Sequence, residues 1–321
     1  PKQRYMCDNQ GPEQVKNVKC IAVDGTTATL SWSDVSDDDI SYFVVECEQS
    51  DGAWKSVSRT STNLGVNLSG LTPEHDYVYR VIGYDKRSNR GTPSEEITVT
   101  TLKDTICPKV TKITPDPGYF KSEINLRFTA EDDYRVKSIE IQTSTDKESW
   151  KTVSEIKATG ESAKCTFDCK LDLKNYEEGS VFVRAKVYDS YGNVTEDKDL
   201  TCYEYVVDRT APIQPTGVTA SSGETEGGSS FVNISWNAIT DDNSFAYYRV
   251  YKSNSADGEF TLLKNNVKTV NTYDENVDFS ATYYYKVEAV DLAGNVGKQS
   301  EVVSCLSLIH ISEPTRQAEI S

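Results

Sequence analysis

The sequence predicts an all-β chain, a tandem array of three β-sandwiches. One observation is a repeated phrase. An alternating strand that runs into Asp and reaches Asn four residues later is written three times, roughly a hundred residues apart: Tyr77–Asp85 with Asn89, Val181–Asp189 with Asn193, and Tyr283–Asp291 with Asn295. A repeat of that length is a domain, not one turn of a solenoid. A second observation is period-two alternation of apolar residues, the pattern of strands with one face in a core. The third is length: each period holds about 95 residues, enough for a sandwich core. The expected boundaries are a lead-in over 1–14, sandwiches over 15–101, 105–208 and 212–305, and a tail over 306–321.

In the first unit, Val18, Cys20 and Ala22 alternate as an opening strand, and Thr27 to Trp32 forms the next. Phe43, Val45 and Cys47 alternate in a third strand, Asp51-Gly52 turns the chain, and Trp54-Lys55-Ser56-Val57 returns. Leu71-Thr72-Pro73 precedes Tyr77 at the spacing of a tyrosine corner, in which the hydroxyl ties back to upstream backbone. Ile97-Thr98-Val99 closes the sheet. The third unit repeats this plan: Val232–Trp236 stands for Ala28–Trp32, Tyr248–Tyr251 for Phe43–Glu46, Asp257-Gly258 for Asp51-Gly52, and Tyr283 for Tyr77. In the middle unit Ile124, Leu126 and Phe128 alternate with no Trp at the strand end. Val136, Ile139 and Ile141 follow, then Ser149-Trp150-Lys151-Thr152-Val153.

On the second-strand Trp (Trp32, Trp236), the corner Tyr (Tyr77, Tyr283) and the Asp-to-Asn hairpin, the first and third units resemble fibronectin type III domains. The first hairpin departs from the pattern, with Ser88 where Gly192 and Gly294 stand in the others. The middle unit resembles the Ig-like modules of bacterial surface proteins. Its borders, Asp104-Thr105-Ile106-Cys107-Pro108 and Asp208-Arg209-Thr210-Ala211-Pro212, look like the Asp-Thr-Thr-Ala-Pro joints of those arrays. Proline after a strand fixes φ and removes a donor, so the strand cannot run on. Short linkers favour a semi-rigid, monomeric rod. The resemblance implies a fold and leaves function open, because such domains serve many proteins.

The ends are read separately. Residues 306–321 resemble translated sequencing adapter and are set aside as non-native. Pro1 is no start residue, so the chain reads as a fragment of a longer bacterial surface or secreted protein, extracellular in location. No apolar run reaches the roughly 18 residues of a membrane span. A net charge of −16 disfavours nucleic acid, whose phosphates need a basic footprint. The eight cysteines, Cys7, Cys20, Cys47, Cys107, Cys165, Cys169, Cys202 and Cys305, leave pairing open; Cys20 and Cys47 either face each other or stay buried thiols. Cys165 and Cys169 sit about 13 Å apart along one strand, too far to bond.

No catalytic motif emerges. His75 lies in a loop and His310 in the tail; no Gly-x-Ser-x-Gly elbow and no phosphate-cradling loop appears. The sequence therefore predicts no enzyme and no required cofactor. The strongest constellation is acidic: Asp37-Asp38-Asp39, Glu131-Asp132-Asp133 and Asp241-Asp242-Asn243 each lie before the third strand of a unit. Two readings stand side by side. Clustered carboxylates can clamp a calcium ion, or Asp and Asn can bend the loop through their own backbone bonds. The Asp-to-Asn hairpins read as turn chemistry. Trp54 and Trp150, with Phe260, follow matching turns, as sugar-stacking platforms if solvent-facing and as packing aromatics otherwise.

Together these features predict a non-catalytic extracellular array acting as spacer, stalk or adhesive region of a cell-surface or secreted protein, with a protein or glycan ligand. The alternatives are the accessory modules of a secreted polysaccharide-degrading enzyme and the carrier region of a large secreted toxin.

Overall fold

The computed structural model describes residues 9–61, 63–240 and 242–307. It is all-β, with domains in tandem. The N-terminal strands are β1 (Lys19–Val23), β2 (Thr27–Ser31), β3 (Ile40–Glu48), β4 (Trp54–Thr60), β5 (Gly65–Ser69), β6 (Asp76–Asp85) and β7 (Ile97–Thr100). They form two sheets, β1-β2-β5 and β4-β3-β6-β7. The alternating inward residues Leu30, Phe43, Val45, Tyr79 and Val81 fill the space between, with Trp32 edge-on to Phe43 at 5.6 Å. The Tyr77 hydroxyl accepts the Thr72 amide at 2.8 Å, closing the corner expected there. Ser88 takes a left-handed φ of 68° where Gly192 and Gly294 take 91° and 81° without a Cβ penalty.

The central domain departs from expectation. Its strands are β8 (Lys109–Thr114), β9 (Tyr119–Phe120), β10 (Glu123–Ser144), β11 (Lys151–Asp172), β12 (Gly179–Asp189) and β13 (Tyr203–Val207). All six join one continuous sheet, β11-β10-β12-β13-β9 with β8 on β10. The plain sandwich predicted for residues 105–208 is thus corrected to a curled half-barrel. The physical cause is length. Each of β10 and β11 has 22 residues; straight, such a strand would span about 70 Å. The pair instead bends where its register breaks, between Glu131 and Val136 and again between Ile141 and Gln142. Breaks of this kind sharpen twist and turn a strand across its own core. Ile124–Phe128 and Val136–Ile141 are therefore one strand, and the acidic Glu131-Asp132-Asp133 stretch is an irregular corner inside it, not a loop between two strands.

The C-terminal strands β14 (Thr219–Glu224), β15 (Ser230–Ser235), β16 (Phe245–Ser253), β17 (Thr261–Val267), β18 (Asn271–Asp274), β19 (Thr282–Asp291) and β20 (Val303–Leu306) repeat the N-terminal plan. Their sheets are β14-β15-β18 and β17-β16-β19-β20. Trp236 meets Tyr248 at 5.1 Å, and the Tyr283 hydroxyl accepts the Asp278 amide at 3.0 Å. Leu306 pairs with Thr282 in β20, and the buried Ser307 hydroxyl accepts the Ala281 amide. Leu306, the first residue of the tail set aside above, thus belongs to the sheet, and Ser307 is bonded beside it; the remainder of the tail, with His310, lies outside the described residues, as do Cys7 and Asp241. All other cysteines are free thiols. Among the described residues no helix is long and apolar enough to cross a membrane.

Candidate functional site: an acidic joint and a concave sheet

After β7 the chain runs back along the N-terminal sheets before entering the central domain. Leu102 donates its amide to the Asp24 carbonyl, and its own carbonyl accepts the Glu74 amide. At Gly25 the backbone comes so close that an added Cβ would lie 3.1 Å from the Asp104 Cα. These contacts fix Asp104 at the joint, 1% exposed. Two central-domain carboxylates meet it there: Asp132 from the corner of β10, and Asp189 from the end of β12, also 1% exposed. Oxygens of the three lie within 4.8 Å of one another.

The hydrogen bonds leave particular oxygens over. Asp189 is spent on its hairpin: Oδ1 accepts the Tyr191 and Asn193 amides, and Oδ2 the Asn193 side chain at 2.6 Å. The Asp132 Oδ2 accepts the Tyr134 and Arg135 amides, at 3.2 and 3.0 Å, while Oδ1 is buried with no donor. The Asp104 Oδ1 accepts the Ile106 amide at 3.0 Å, and Oδ2 is again buried with no donor. Among the described residues none of the three forms an ion pair with Lys or Arg. Burial raises the Asp104 carboxyl, and the Asp133, Asp189 and Asp24 charges add to it. Burial first, then the Asp133, Asp104 and Asp189 charges, push Asp132 up to about 6. Buried, unpaired like charges are costly unless something positive joins them.

The expected acidic residues therefore separate. Asp132 joins the cluster. Asp133 accepts a hydrogen bond from the Thr26 hydroxyl at 2.9 Å, across the joint. Asp37, Asp38 and Asp39 lie at the other end of the N-terminal sheets, and among the described residues they enter no three-carboxylate group. Asp242 spends Oδ1 on Ser244, and its Oδ2 is buried without a donor. The sequence reading missed Asp104 and Asp189 as members, one placed in a linker and one in a turn. Their available signal was topological: the linker, the corner before the third strand run and the terminal hairpin all fall at one end of the domain.

Three carboxylates sharing one volume can bind a cation. Asp104 and Asp189 are almost wholly buried, whereas Asp132 is only half-buried.

A second feature is concave. The curl of β11 brings its two ends across from each other, Val153, Ser154 and Ile156 facing Cys169 and Leu171, and leaves a groove of about 800 Å³. Ser149, Lys151, Asp168, Lys170, Asp172 and Tyr176 supply its polar rim. Ser149 and Lys151 flank Trp150, which is half-buried under the Arg184 guanidinium at 4.0 Å and donates Nε1 to the Lys147 carbonyl. Trp54 has the same arrangement, with the Arg80 guanidinium 3.8 Å over its ring. His75 is exposed beside Tyr77, as expected of a loop histidine.

Comparison with known proteins bears on these features. Residues 13–100 match the family model of the fibronectin type III domain. Over 92% of its length the chain is 27% identical to Exoglucanase B of Cellulomonas fimi, of which it covers 26%. Over 33% of its length it is 31% identical to Chitinase Chi52 of Paenibacillus xylanexedens, of which it covers 18%. The chain thus spans about a quarter or less of these relatives. Among solved structures, the FN1–FN3 domains of chicken CNTN1 cover 93% of this chain and 99% of that one, at 17% identity and a TM-score of 0.47. Domains A168–A170 of titin cover 92% and 99%, at 14% identity and a TM-score of 0.45.

The relationship to an exoglucanase and a chitinase overturns two expectations, that of a non-catalytic spacer, stalk or adhesive region and that of no enzyme. The reason is chemical. That expectation rested on the lack of a nucleophile–base pair and of a phosphate loop, and glycosidases need neither, because they use two carboxylates held by the fold at no fixed sequence spacing.

Proposed function

We propose that this chain is part of a secreted, polysaccharide-degrading enzyme, the modular arm of a larger glycosidase, and that it engages a β-linked glycan along the central half-barrel. The observation that carries this reading is the relationship to Exoglucanase B across 92% of the chain, central domain included. The groove supports it: a polar rim around an apolar floor suits a polyhydroxylated chain with apolar ring faces; Trp150 adjoins the rim residues Ser149 and Lys151 in sequence without lining the groove itself. Trp54 and Trp150 are the stacking residues of this proposal, and units over 15–101, 105–208 and 212–305 are its parts.

Retention on microcrystalline cellulose and on colloidal chitin tests it, with reducing sugar measured in the same incubations. The expected result is retention on one of the two, reduced at least fivefold by Trp150→Ala and less by Trp54→Ala. Retention on neither polysaccharide would overturn the reading.

The cation proposed for Asp104, Asp132 and Asp189 is calcium. The donor set is all oxygen and all carboxylate, which selects hard cations over zinc or copper. Two buried oxygens without donors are where such an ion would bind.

A further inference from the structure

Asp104 belongs to the linker, held on the N-terminal sheets, whereas Asp132 and Asp189 belong to the central domain. The hydrogen bonds around them also cross the joint. Asn193 donates Nδ2 to the Asp104 carbonyl at 3.2 Å, Thr26 donates its hydroxyl to Asp133, and Tyr191 donates its hydroxyl to the Pro73 carbonyl at 3.1 Å. These bonds place three carboxylates face to face against their mutual repulsion. Asp104 is the second, independent sign of a ligand: it is 1% exposed and keeps one oxygen without any donor.

We infer that a divalent cation of the calcium class, held between Asp104, Asp132 and Asp189, locks the N-terminal sheets onto the central half-barrel, so that the angle of this joint depends on calcium. The inference rests on the calcium reading above and adds a mechanical consequence. With the ion bound, the linker carboxylate is tied to both central-domain carboxylates, and the three crossing hydrogen bonds lie in a neutralised shell. Without it, carboxylate repulsion acts directly across the joint, and the linker lifts from the Asp24–Thr26 turn.

The test uses the full chain, stripped of metal with chelator and dialysed. Calcium binding is measured by titration calorimetry. Joint closure is read from the rate of tryptic cleavage after Lys103, an exposed residue adjoining Asp104. Cleavage after Arg209, at the other joint, is the internal control. The expected result is one calcium site, with cleavage after Lys103 slowed at least tenfold by calcium and cleavage after Arg209 unchanged. Asp132→Asn should weaken calcium binding at least tenfold and remove the protection. Calcium binding that leaves the Lys103 rate unchanged would overturn the lock and spare the calcium reading. Absence of binding heat with millimolar calcium would overturn both, leaving the glycan proposal untouched.

Discussion

The two linkers carry the same pattern, Asp104-Thr105-Ile106-Cys107-Pro108 and Asp208-Arg209-Thr210-Ala211-Pro212, and the same device meets each of them. Asn193 reaches the Asp104 carbonyl and Asn295 the Asp208 carbonyl, at 3.2 and 3.0 Å, each from a hairpin whose Asp it also binds. From there the joints diverge. At the second, Arg209 donates to the Leu173, Tyr176 and Lys121 carbonyls, and its amide to Glu178; Lys121 donates to the Gly294 carbonyl at 3.0 Å. At the first, Thr105 stands where Arg209 stands, Asp104 is buried, and among the described residues no Lys or Arg pairs with Asp104, Asp132 or Asp189. One scaffold thus has two ways to be held: by the protein's own cations, or by one taken from solution.

The largest expected effect follows from that difference. An ion bound only by the closed joint stabilises it by about 2.7 kcal/mol at a hundredfold excess over Kd. Calcium should therefore raise the first melting transition of the chain, chelator should reverse the rise, and Asp104→Asn should abolish it. Asp208→Asn should leave it intact. A calcium shift that survives Asp104→Asn would break the comparison.

The hairpin asparagines come next. Asn193→Ala and Asn295→Ala each delete one bond to a buried carboxylate and one to a linker carbonyl, at about 1–2 kcal/mol each. The losses in thermal stability should be similar. Only Asn193→Ala should also weaken calcium binding in a titration, because it releases both Asp189 and Asp104.

How much of this was readable in the chain differs by region. Trp32, Trp236, Tyr77 and Tyr283 announced the end domains because their roles are local: an aromatic at a strand end, a hydroxyl five residues from its backbone partner. The half-barrel was hidden because Ile124–Phe128 and Val136–Ile141 alternate as two short strands do. Nothing in the alternation says that Asp132-Asp133-Tyr134-Arg135 bends a strand without ending it. Of the acidic site, Asp132 was readable as one member of a charge run. Asp189 was rightly read as turn chemistry, since both its oxygens accept hairpin donors. Its second role, like that of Asp104, depends on contacts between residues 28 to 85 positions apart in the chain, which spacing does not encode.

The second joint offers a smaller, calcium-blind effect. Arg209→Ala removes three carbonyl contacts of an exposed guanidinium, worth about 1 kcal/mol after solvent competition. Tryptic cleavage at that position is lost with the residue. The readout is therefore the melting transition of the C-terminal domain, lowered equally with calcium and with chelator. A calcium-dependent loss would mean that the two joints are not independent.

The smallest expected effect lies at Tyr191, whose counterpart in the last hairpin is Ala293. Its hydroxyl bonds the Pro73 carbonyl across the first joint, and its ring lies against Tyr134 at 5.7 Å. Tyr191→Phe keeps the ring and deletes the bond, at roughly 0.5–1 kcal/mol, with water free to take the carbonyl in the open state. If the ion holds the joint, calcium affinity should fall by less than about fivefold, the factor matching 1 kcal/mol. The variant's loss of stability should also be larger in calcium than in chelator, because a joint that binds the ion more weakly gains less stability from it. An equal loss in both conditions would show that the hydroxyl and the ion act on separate parts of the joint, and that the crossing hydrogen bonds, not the cation, set its angle.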